Sequence, residues 1–90
     1  MHEKIPKYKS LLLEAGNVIS ASTGKPISYL HISSLESRKT KFTGDVPATN
    51  LIIQLLDYID VYNNGKDIKK LEASSARVNR AMAALARAVS

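Results

Sequence analysis

From Ile68 to Val89 the core-type positions advance in alternating steps of three and four: Ile68, Leu71, Ser75, Val78, Met82, Leu85 and Val89. At about 3.6 residues per turn, that repeat is a single narrow stripe along one helix. Such a stripe is unstable in water, so the rest of the chain must cover it. The segment before it carries Leu51, Ile52, Leu55, Leu56, Ile59 and Tyr62, the broader apolar face of a helix packed inside a bundle. Between the two lies Asn63-Asn64-Gly65, residue types that tolerate the left-handed backbone with which many helices close, and Asp67 is placed to cap the next helix. The spacing predicts a helical hairpin over 46–63 and 67–89.

The first half of the chain supplies the cover. Pro6 suits the first turn of a helix, where its missing N–H costs nothing, and Tyr8, Leu11, Leu12, Ala15, Val18, Ile19 and Ser22 follow on one face. This predicts a helix over 6–21, in which Gly16 marks either a close neighbour or a locally weak turn. Ser22-Thr23-Gly24-Lys25 reads as a turn, and Pro26 suits the opening of a second helix over 27–41. There the apolar residues Ile27, Tyr29, Leu30, Ile32, Leu35 and Phe42 are sparse, and Ser28, Leu30, Ile32 and Ser34 also fit one face of a strand. A lone strand has no partner elsewhere in the sequence, so a helix is preferred. Arg38, Lys39 and Lys41 place positive charge at its C-terminal end, where the helix dipole favours it. Thr43-Gly44-Asp45 breaks the chain, Asp45 caps the third helix, and Pro47 lies in its first turn. Four helices with short connections make neighbours antiparallel, and the expected fold is a single all-α domain over 1–90, an antiparallel up-and-down four-helix bundle.

Ninety residues suffice for such a core, and the absence of cysteine removes disulfides and thiolate metal sites. The N-terminal residues lack the apolar run of a secretion signal, and Leu11-Leu12-Leu13 is far too short to span a bilayer. A cytoplasmic protein is expected. Thirteen basic and eight acidic residues give a formal charge of +5, which favours anionic partners.

Catalytic chemistry is hard to place on this chain. Asp57 and Asp60 are one turn apart, spaced to share a proton or hold a cation, but the plainer reading is a solvated acidic strip. His2 and His31 have no converging ligands, and the four glycines are isolated, so neither a metal site nor a phosphate loop is indicated. No catalytic, cofactor or metal residue is assigned, and no enzymatic activity is expected. The last helix is more informative. Lys66, Lys69, Lys70, Arg77, Arg80 and Arg87 fall on the side away from the seam, either as an ordinary solvated face or as a docking surface for an anionic membrane leaflet, an acidic protein patch or nucleic acid. The alanines Ala73, Ala76, Ala81, Ala83, Ala84, Ala86 and Ala88 make this helix a strong former with a thin surface that another helix could approach closely, compatible with a monomer or a weak homo-oligomer. Arg77, Asn79 and Arg80 in one turn keep a small helical DNA-binding or antitoxin-like regulator open as an alternative, although a coiled-coil-like seam suits near-parallel packing better than a helix-turn-helix.

Several segments resemble a known family: Asn17-Val18-Ile19-Ser20, Val46-Pro47, Asn50-Leu51-Ile52, Leu55-Leu56-Asp57-Tyr58-Ile59, and Ile68 with Leu71. In these the chain is similar to the immunity proteins of pediocin-like (class IIa) bacteriocins, the enterocin A immunity family. The resemblance implies an antiparallel four-helix bundle in the cytosol of a bacteriocin producer or a resistant neighbour. It implies protection exerted at the membrane permease of the mannose phosphotransferase system once a bacteriocin has engaged it, with the C-terminal half setting which bacteriocin is recognised. The basic side of the last helix would then make peripheral contact with that permease at the anionic inner leaflet.

Overall fold

The computed structural model of the chain describes residues 4–65 and 67–89. Four helices follow one another, α1 (Lys4–Ser20), α2 (Tyr29–Lys41), α3 (Val46–Asn64) and α4 (Ile68–Val89), with no strand among the described residues. Side-chain bridges fix their directions. Glu14 meets His31 while Ser10 meets Arg38, so α1 and α2 run oppositely. Asn63 meets Ile27 while Thr49 meets Phe42, which sets α3 against α2. Tyr58 shares a surface cleft with Leu71 and Ser75, and Asn50 shares one with Arg80 and Ala84, so α4 runs back along α3. The molecule is the all-α antiparallel four-helix bundle that the periodicity predicts.

The core runs along α3, whose Leu51, Ile52, Leu55 and Ile59 are buried among Leu11, Val18, Leu35, Val78 and Leu85. Each such side chain contributes roughly 1.5–3 kcal/mol by leaving water. At the turn before α3, Gly44 adopts φ +86, a left-handed conformation that favours glycine. Asp45 then caps the helix through Ala48 N–H, as its position predicts.

Three expectations are corrected. The buried line of α4 is Ser74, Val78, Ala81 and Leu85, whereas Ser75 and Met82 are half-buried and Ile68 is 72% exposed. The helix is rotated from the expected seam because small Ser74 and Ala81 let neighbouring helices approach closely, while Val78 and Leu85 fill the volume between. The second helix begins at Tyr29, with Ser28 as its cap accepting from Leu30 N–H, so Pro26 and Ile27 precede it. Both backbone groups of Ile27 are held by Asn63, an arrangement that keeps this residue out of the helix. Finally, none of Asn63, Asn64 and Gly65 is left-handed: Gly65 has φ −91 and donates to Val61 O at 2.7 Å. What glycine supplies there is room, since a Cβ would sit 2.5 Å from that carbonyl oxygen.

Candidate functional site

The basic side of α4 is the surface that the sequence singles out, and the structure divides it. Lys66 lies outside the described residues. Lys69 and Lys70 are exposed in the first turn of α4, where the helix dipole is positive and further positive charge is unfavourable by about 0.3–1 kcal/mol each. Asp67 offsets this strain by capping the turn, its Oδ1 accepting from Lys69 N–H at 2.9 Å and from Lys70 N–H at 3.4 Å. A pair of lysines at this end is poorly chosen for stability alone.

Arg77 is engaged within the bundle. Its Nη2 donates to Asp57 Oδ2 at 3.0 Å, and the buried hydroxyl of Ser74 donates to the same oxygen at 2.9 Å. Asp57 is therefore a half-exposed staple between α3 and α4, bonded across the hairpin as well as solvated. Asp60 is exposed and accepts from Asn64 Nδ2 at 2.9 Å. Arg80 is exposed and, with Arg77, Asn50 and Gln54, borders a shallow groove floored by Ala81 and Ala84. Arg87 is exposed in the last turn, where its charge suits the helix end. The exposed cations thus form one group at the start of α4 and a second along its middle and end. Arg77 lies beside the second group, bordering the same groove as Arg80, with its charge taken up by Asp57.

Sequence reasoning missed three other polar assemblies because their members lie on segments far apart in the chain. Between α1 and α2, Glu14 Oε2 lies 3.0 Å from His31 Nδ1, and Arg38 Nη1 donates to Ser10 Oγ at 3.0 Å. At the far end of the bundle, Tyr58 donates to Ser22 Oγ, Tyr62 accepts from Gly24 N–H, and Asn63 both accepts from and donates to Ile27. These side chains from the last turns of α3 clamp the segment 21–28. The rings of Tyr58 and Tyr62 are stacked, with centroids 6.1 Å apart. At the opposite end Tyr8 donates to Asp45 Oδ2 and packs on Phe42. That bond, with burial and the carboxylate's charge, holds the Tyr8 phenol above its ordinary pKa.

Among the described residues no group of three or more histidine, aspartate or glutamate side chains is arranged to hold a metal ion. No helix there is long and apolar enough to cross a membrane. No family model, curated protein or solved structure matches the chain.

Proposed function

We propose that the protein is a bacteriocin immunity protein, protecting its cell from a pediocin-like bacteriocin by binding at the cytosolic side of the bacteriocin-engaged mannose phosphotransferase permease. The observation that carries this reading is the exposed basic surface of α4. Lys69, Lys70 and Arg80 pair with no carboxylate among the described residues, and the two lysines stand where the helix dipole disfavours them. Charge kept at a structural disadvantage is suited to an anionic partner, here a permease at the negatively charged inner leaflet. Arg87 extends the same surface, while Arg77 contributes to it only as a neighbour held by Asp57.

The test is survival of a sensitive host that expresses the chain, challenged with a panel of pediocin-like bacteriocins. Protection against one or a few members is expected. The Lys69→Glu/Lys70→Glu variant should lose that protection while gaining roughly 1 kcal/mol of stability, since acidic residues suit a first turn. Undiminished protection by this variant would remove the α4 surface from the mechanism. No protection by soluble wild-type protein would remove the immunity reading, and salt-dependent retention on DNA would then test the regulator alternative.

A further inference from the structure

A second basic surface lies away from α4, where the beginning of α1 meets the end of α2. Pro6, Lys7 and Ser10 from α1 and Arg38, Lys41 and Phe42 from the α2 end line a cleft of about 300 Å³. A neighbouring concavity shares Lys7, Lys41 and Phe42 and extends to Gly44 and Asp45. The nearby carboxylates are already engaged: Asp45 holds Tyr8 and the cap of α3, and Glu14 faces His31. Lys7 and Lys41 are exposed and pair with no carboxylate among the described residues.

Arg38 is only partly satisfied. Its Nη1 donates to Ser10, its Nη2 is 3.9 Å from Glu14, beyond hydrogen-bond reach, and its enclosed Nε has no partner. Because Ser10 Oγ accepts that bond, its own O–H remains available to donate. The cleft therefore gathers three cations and a hydroxyl against an apolar wall formed by Pro6 and Phe42.

We propose that this cleft binds a phosphate group, with Lys7 and Lys41 as the principal charges and Ser10 and Arg38 as additional donors. Three cations suit an anion carrying up to two negative charges better than a single carboxylate. The start of α1 adds the favourable end of its dipole, and the last turn of α2 opposes it, so the lysine charges decide the balance. Pro6 and Phe42 leave room for a small organic substituent on the phosphate. Two sources share this chemistry: a soluble phosphomonoester and the headgroup of a phospholipid such as phosphatidic acid. The proposal is independent of the immunity reading and of the α4 surface.

The experiment is an NMR titration of the full ¹⁵N-labelled chain with inorganic phosphate at constant ionic strength, alongside sedimentation with phosphatidic acid vesicles and phosphatidylcholine controls. Amide shifts should concentrate at residues 6–10 and 38–44. The Lys7→Ala/Lys41→Ala variant should bind about tenfold more weakly, whereas Lys25→Ala, at the far end of the bundle, should bind as the wild type does. Both lysines are exposed and make no bond that the fold needs, and the variant's melting temperature checks this. Capture by phosphatidic acid vesicles without a response to free phosphate, lost in Lys7→Ala/Lys41→Ala, would assign the site to a lipid headgroup. Equal binding by the Lys7→Ala/Lys41→Ala and Lys25→Ala variants, shifts spread over all surface lysines, or no response to either ligand would overturn the proposal.

Discussion

Within its helical span α3 buries Ala48, Leu51, Ile52, Leu55, Tyr58 and Ile59, whereas α2 buries Leu35 alone. The α3–α4 hairpin is closed by a continuous apolar contact, to which α4 adds Val78, Ala81 and Leu85. By contrast, α2 is fastened at its edges by Ile27 and Phe42, which flank the helix, and by polar bridges to α1 through Glu14, His31, Ser10 and Arg38. Apolar contact is non-directional and survives small shifts, while a hydrogen bond depends on both distance and angle. The hairpin should therefore set global stability, and α2 should open locally at lower free energy.

The largest effects test that contrast directly. Leu55→Ala should remove about 2–5 kcal/mol and lower amide protection throughout the chain in parallel, measured by urea denaturation and hydrogen exchange. Leu35→Ala removes the same side-chain atoms, yet its signature should be rapid exchange over 29–41 with 46–64 and 68–89 still protected. Parallel loss of protection in the hairpin would erase the distinction between the two regions.

Asp57→Ala comes next. It strands the fully buried Ser74 hydroxyl, which should cost about 1–3 kcal/mol in urea denaturation. The Arg77–Asp57 pair adds less than about 1 kcal/mol, because both side chains are 42% exposed. Asp57→Asn, which retains an acceptor, should recover most of the loss.

Tyr8 sharpens the comparison at the end where α1 and α3 begin. Its folded pKa lies above the unfolded value of about 10, so the protonated phenol's contribution is complete below pH ~10 and is lost as pH rises through the folded value. Denaturation midpoints of the wild type should therefore fall more steeply in alkali than those of Tyr8→Phe. The smallest effect is a gain. An added Cβ at Gly16 meets no heavy atom within 4 Å, so Gly16→Ala should raise stability by about 1 kcal/mol in thermal melts.

These contrasts also explain what could be read from the sequence. The buried faces of α1 and α3 were legible because large residues mark them at helical spacing: Tyr8, Leu11 and Val18 in one, Leu51, Leu55 and Ile59 in the other. In α4 the apolar pattern points to the wrong phase because hydrophobicity favours Met82 over Ala81, whereas close packing selects the smaller side chain. The clamp on 21–28 left no local sign, since its partners lie 36 or more residues away on α3. Among the candidate site residues, Lys69, Lys70, Arg80 and Arg87 were legible as one exposed helix side. The engagement of Arg77 was not, because Asp57 belongs to another helix. The cleft of Lys7, Arg38 and Lys41 was likewise invisible, because only the packed bundle brings its two walls together.

The packing of α1 carries a consequence for biosynthesis. Its backbone lies against α4 more extensively than against α3, and it meets α2, its neighbour in sequence, mainly through long polar side chains. As the chain leaves the ribosome, the apolar side of α1 emerges first, and the helix that covers it best emerges last. Helix-by-helix packing in the order of synthesis would therefore leave the apolar side of α1 without its main cover. Leu11, Ala15 and Val18 should gain their full cover only when α4 packs beside them.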